Sequence, residues 1–223
     1  MITRLAVLIV VIAILSFVGQ QLADKHSKDN ESFRKLFHIM HGVTLAGLAF
    51  VVPLSWLIGL EVVFFISMLA TRYLVGHYSR IIKWVGYFAR AYRVGRLSYG
   101  EFFFPISVIL LVLLSESKWE FAASILILGL ADAAAALVGK KYGKRTGYKI
   151  LGQKKSLMGS AVFYVVTLIV VVAFVQLAEP AISVSLLTVL WVTFVITVAE
   201  NIGVYGTDNL LIPLTAVYLL NAL

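Results

Sequence analysis

Apolar runs recur along this chain at the length a bilayer demands, and they limit its fold more than any single motif. About twenty apolar residues are needed for a helix to cross the hydrocarbon core. Inside that core every backbone N–H and C=O must be bonded within the protein. Eight stretches can be marked off, at 4–20, 36–53, 54–71, 101–115, 119–138, 157–178, 182–199 and 209–222. The connections between them leave no room for a separate soluble domain. The expectation is therefore one all-α domain over residues 1–223, an integral membrane protein with about eight transmembrane helices. Composition agrees, with 61% of residues hydrophobic and 13% charged, against roughly 25% charged in a soluble domain. Pro53 and Pro180 sit in two tight connections, where a helix must end. Residues 2–19 read as an uncleaved span, because no small-x-small cleavage site follows the apolar run.

Lysine and arginine gather on one side of this arrangement. Loop 21–35 carries four, loop 72–98 six and loop 139–156 seven, which leaves only Arg4 and Lys118 on the other side. The positive-inside rule then places the basic loops in the cytoplasm and both termini outside. One span more or fewer would scatter the bases over both faces. The net charge of +8 is accordingly read as orientation and as attraction for anionic lipid or substrate, not as nucleic-acid binding. With no cysteine, disulfides and thiolate metal sites are excluded. Residues 77–96 interleave bases with Trp84, Tyr87, Phe88 and Tyr92. They read as an amphipathic helix in the headgroup layer, with a lid over a lipid substrate as the alternative.

Asp132 is the residue least explained by membrane packing. It lies in Gly129-Leu-Ala-Asp132-Ala-Ala-Ala-Ala-Leu-Val-Gly139, about 10 Å of helix rise from the cytoplasmic end of its span. An acid at that depth costs at least ~2.5–3.5 kcal/mol and ordinarily faces a cavity, a partner or an ion. The small residues around it let neighbouring helices approach, but they give no reason for a carboxylate. Arg34, His38 and His41 recur at i, i+4 and i+7 on one helix face, with Lys35 adjacent. That face sets two cations and two imidazoles at the cytoplasmic boundary. Gly139-Lys140-Lys141-Tyr142-Gly143 leads on to Gly152-Gln153-Lys154-Lys155-Ser156-Leu157-Met158-Gly159. Here glycines allow close backbone approach, lysines neutralise phosphate, and Ser156 either caps the sixth helix or marks an anion site at its N-terminus. Glu200, Asp208 and Asn209 supply hard oxygen ligands on the same face, which suit Mg²⁺. Several familiar chemistries are absent. Gly147-x4-Gly152 has Gln153 where a P-loop needs lysine, and there is no HExxH pair and no G-x-S-x-G element.

Taken in order, these elements resemble the CTP-dependent lipid-alcohol kinases: the dolichol, phytol and farnesol kinases and the fungal-type diacylglycerol kinase, relatives of the phosphatidate cytidylyltransferases. The resemblance rests on Arg34-Lys-x-x-His38, Gly100-Glu101 ahead of Phe104-Pro105, and Asp132-x-x-Ala135-x-x-x-Gly139-x-x-x-Gly143. It continues through Lys155-Ser156-x-x-Gly159-Ser160 to Glu200, Asp208-Asn209-Leu210 and Pro213, so it runs from residue 34 to 213. Met158 stands where some branches carry an acidic residue, and the longer cytidylyltransferase signature is missing.

The resemblance implies transfer of a phosphoryl group from CTP to a lipid alcohol, with Mg²⁺, on the cytoplasmic face. It implies catalytic roles for Arg34, Lys35, His38 and Asp132, with His38 or Asp132 accepting the hydroxyl proton. Gly139, Lys140, Lys141, Gly143, Lys154, Lys155, Ser156 and Gly159 would hold the nucleotide, and Asp132, Glu200, Asp208 and Asn209 the metal. Two alternatives stand beside it: a phosphatidate cytidylyltransferase, and a proton-coupled lipid transporter using Asp132, Glu61 and His38.

Overall fold

The computed structural model describes residues 30–77, 99–178 and 183–223, besides residue 3. The expected span at 4–20, the amphipathic segment beyond His77 and Pro180 lie outside the described residues. Helices α1 (Asn30–Leu48), α2 (Leu54–His77), α3 (Tyr99–Leu114) and α4 (Lys118–Leu126) come first. A π-helical turn (Ile127–Ala131) joins α4 to α5 (Asp132–Tyr142), and a 3₁₀ turn follows (Gly143–Thr146). Strands β1 (Gly147–Ile150) and β2 (Gln153–Ser156) precede α6 (Leu157–Leu177), α7 (Leu186–Ile202) and α8 (Asp208–Asn221).

Two of the described helices are long and apolar enough to cross a membrane: the run Lys118–Thr146 and Leu157–Leu177. Leu54–Ile66, Phe102–Leu114 and Leu186–Ile202 are apolar but shorter. The first long run is mostly buried, because α1, α6 and α8 pack around it. Its core neighbours include Leu45, Phe163 and Ile212, all fully buried. The outer faces carry the opposite pattern. Val63, Leu113, Ile169, Leu187 and Trp191 are each more than half exposed. In water such a surface would drive association; in hydrocarbon it costs nothing.

Helix starts follow local chemistry. Ser117 caps α4 in a full capping box with Glu120, and Ser185 caps α7 by accepting from the Thr188 amide. The π-turn ends directly before Asp132. Such bulges widen a helix by one residue per turn and recur at functional sites. This one sits where the helix must turn a carboxylate toward its neighbours.

The all-α expectation needs correction in one place. The basic segment before α6 is not a plain loop, since β1 and β2 form a two-stranded antiparallel sheet pairing Gly147 with Ser156 and Ile150 with Gln153. Leu151 and Gly152 connect them at φ 47° and 84°, two successive left-handed residues, as a tight hairpin turn of the primed kind requires. The strands are short, and Leu151 is a poor turn signal, so the hairpin is invisible to periodicity.

Candidate active site

Lys35 and Asp132 come from opposite ends of the sequence reading and meet in space. Lys35 Nζ lies 2.6 Å from Asp132 Oδ2, and both side chains are buried. Glycine makes the meeting possible. A Cβ added to Gly42 would stand 3.1 Å from Gly129 Cα, and one added to Gly129 would stand 3.2 Å from the His38 carbonyl oxygen. Helix α1 therefore crosses the π-turn at backbone contact, one helical turn from the pair. A lone buried charge is expensive, so each partner makes the other tolerable.

A second pair faces the first. Lys155 Nζ donates to Glu200 Oε1 at 2.6 Å and also to the Glu200 carbonyl. Tyr148, opposite Lys155 on β1, donates its hydroxyl to Asn201 Oδ1 and lies 2.7 Å from Ser160 Oγ. Two cross-strand neighbours thus grip two successive residues of α7, and the hairpin is held against the helix end. Glu200 Oε2 is buried and has no hydrogen-bond partner among the described residues. Burial and the nearby Asp132 carboxylate push the Asp208 carboxyl above its ordinary range, against the pull of Lys35 and Lys155.

Between the pairs lies a cavity of about 550 Å³. Its floor is made of backbone. Ser156 accepts from the Gly159 amide as the cap of α6, and a Cβ on Gly143 would come within 2.3 Å of the Ser156 hydroxyl. Gly139 and Gly159 are crowded against the same serine. Open amides at a helix start attract anions. Around this floor the wall carries Lys140, Lys144 and Lys154 as well as the paired Lys35 and Lys155.

The structure brings most of the expected residues together. Lys35, Asp132, Gly139, Lys140, Gly143, Lys154, Lys155, Ser156, Gly159, Glu200 and Asp208 all line this one cavity. Three are placed elsewhere. Lys141 is exposed, with its ammonium 5.0 Å from the Tyr142 ring. The Asn209 amide donates to the Gly100 carbonyl at 2.9 Å and ties α8 to α3. His38 sits beside Phe104, with ring centroids 4.9 Å apart, and is not on the cavity wall. The side chain of Arg34 lies outside the described residues. Gln153 and Ser160 also line the cavity; strand alternation would have pointed to Gln153 had the hairpin been legible.

The chain is similar to a phytol kinase of Synechocystis sp., at 33% identity over 124 residues. That match covers 54% of this chain and 53% of the phytol kinase, so the chain spans about half the length of the curated relative it matches. No family model matches the chain, and no solved structure matches it.

A kinase relative makes Mg²⁺ the cation to test against this cavity. Among the described residues no three histidine or carboxylate side chains form a ready-made cage. Mg²⁺ does not need one, since it commonly takes one or two carboxylates and completes its shell with water and substrate phosphate. Glu200 offers a buried oxygen without a partner, and Asp132 and Asp208 stand on the same wall. That donor set fits. Deeper along α1, His41 Nε2 lies 2.7 Å from Oε1 of the fully buried Glu61, walled by Phe64 and Phe104. The pair joins α1 to α2 and stands apart from the cavity wall.

Proposed function

We propose that this chain is a CTP-dependent kinase of a membrane lipid alcohol, a polyprenol or dolichol, a phytol-type isoprenoid or a diacylglycerol. In this reading it crosses the bilayer about eight times and works at the cytoplasmic face. The observation that carries it is the pairing of Lys35 with Asp132 and Lys155 with Glu200 across a lysine-walled cavity at the ends of apolar helices. Phosphoryl transfer asks little covalent chemistry of a protein and much positioning and charge neutralisation. The similarity to a phytol kinase supports the same reading.

The steps follow from the side chains. The triphosphate lies over the glycine floor, with its oxygens neutralised by Lys140, Lys154 and Lys155. Mg²⁺, held by Asp132, Asp208 or Glu200, would offset negative charge on the phosphates. The lipid keeps its tail among the helices and presents its hydroxyl beside Asp132. The hydroxyl oxygen attacks the terminal phosphorus, its proton passes to Asp132, and the bond to CDP breaks. Lys35 or Arg34 stabilises the charge on the transferred group. Asp132 takes the proton in preference to His38 because it lines the cavity and His38 does not.

Purified protein incubated with labelled CTP, ATP, GTP or UTP, Mg²⁺ and a panel of lipid alcohols tests this directly. The expected products are a lipid phosphate and CDP. Asp132→Ala and Lys35→Ala should each lower kcat/KM by about 10²-fold or more, the scale of a lost transition-state contact. Wild-type rates in both variants would sink the assignment. Pyrophosphate in place of CDP would indicate cytidylyl transfer, and proton-coupled flux without nucleotide would indicate a transporter.

A further inference from the structure

Phosphate binding leaves two residues unexplained, one on the cavity wall and one beside it at the hairpin tip. The wall's lysines only donate hydrogen bonds and its carboxylates only accept. Ser156 is committed to its helix cap, and Ser160 to Tyr148 and Asn201. Among the described residues Gln153 is the one side-chain amide on the wall, able to donate and accept side by side. It follows the hairpin turn on the inner, half-buried side of the strand. Three residues of strand, about 10 Å, separate it from Ser156 and the phosphate floor.

Tyr205 is the second. It and Gly206 form the centre of a tight turn, at φ 55° and 93°, closed by the Thr207 amide donating to the Val204 carbonyl at 3.0 Å. Glycine or asparagine takes such positions readily, whereas a bulky residue there is a strained outlier. The strain holds an aromatic ring 61% exposed against the hairpin tip. A Cβ on Gly152 would lie 3.4 Å from the Tyr205 hydroxyl. Two left-handed turns therefore meet next to Gln153, which lines the cavity, so its amide and an aromatic face stand side by side.

The geometry points to a nucleobase site, in which Tyr205 stacks on the base of the phosphoryl donor and Gln153 reads its edge. A glutamine amide pairs with an exocyclic amino group beside a ring-nitrogen acceptor, the pattern of cytosine and adenine, and an aromatic face takes any base. The hairpin grips α7 through Tyr148 and Lys155, which keeps Gln153 at a set distance from the floor. This inference rests on the proposed nucleotide site and says which residues select the nucleotide there.

Binding to the intact chain in detergent decides it, with CTP, UTP, ATP and base-free inorganic tripolyphosphate as probes. Gln153→Leu and Tyr205→Asn should each weaken CTP binding about tenfold or more, the loss expected from one bidentate pair or one stacked base. Tripolyphosphate should bind both variants as it binds the parent. Tyr205→Asn suits the left-handed backbone, so its unfolding temperature should stay level or rise while CTP affinity falls. Tyr205→Phe should restore the affinity lost in Tyr205→Asn. Unchanged CTP affinity in both variants, or an equal loss of CTP and tripolyphosphate, overturns the base site and leaves the kinase reading standing. A parent protein that binds none of the four probes overturns both.

Discussion

The buried Lys35–Asp132 pair lets stability and the proposed chemistry be tested apart. Both are buried, so removing the lysine strands a carboxylate away from water, which costs about 3–5 kcal/mol. Lys35→Met should lower the unfolding temperature in detergent. The double replacement Lys35→Met with Asp132→Leu should recover most of that loss, since an apolar pair of similar size is often no worse than a buried ion pair. Neither variant should phosphorylate a lipid. A double variant that regains activity would mean the pair is only structural. Gly143 makes a similar point without charge. A methyl there would meet the Ser156 hydroxyl at 2.3 Å, so Gly143→Ala should cost about 1–3 kcal/mol by overpacking and weaken tripolyphosphate binding.

At the scale of elements, the site depends on how closely α1 can cross the π-turn. Gly42 and Gly129 set that distance. Gly42→Val should push α1 outward, draw Lys35 away from Asp132 and lower kcat/KM although no expected catalytic residue is substituted. Gly47 and Gly59 are the controls, with nothing within 4 Å of an added Cβ. Alanine at either should preserve activity and add roughly 0.5–1 kcal/mol of helix stability. A Gly42→Val protein as active as the parent would show that the helix crossing does not govern the site. The crossing was half legible in the sequence: small residues around Asp132 announce close packing, but nothing in the string says that Gly42 is the partner of Gly129. The hairpin was not legible at all, because its register depends on a turn through Leu151, a residue that seldom takes positive φ.

For the whole molecule, the one-sided distribution of lysine and arginine makes the orientation testable. The chain has no cysteine, so single cysteines report cleanly. Leu151→Cys at the exposed hairpin tip should react with an impermeant maleimide from the cytoplasmic side alone. Lys118→Cys, exposed at the start of α4, should react from the opposite side alone. Labelling of both from one side would rule out the proposed topology. In the proposed topology the cavity opens on the basic face, and part of the charge taken to orient the chain lines it: Lys140, Lys144, Lys154 and Lys155 are among its walls.

Sequence by itself determined the apolar helices among the described residues and named most residues that line the cavity. Hydrocarbon accepts few alternatives, and an acid or an Arg-Lys-x-x-His turn at its edge stands out against an apolar background. Tertiary structure alone decided which of those residues meet. Lys35 and Asp132 were each expected in a catalytic role, and only the fold shows them paired with one another. Asn209 was expected on a metal and is found tying α8 to α3. Glu61 was expected only in the transporter alternative and is found bonded to His41. Each is a contact between residues at least twenty positions apart. Such contacts follow from helix crossings and turn geometry, which depend on backbone approach and not on the local pattern of residue types.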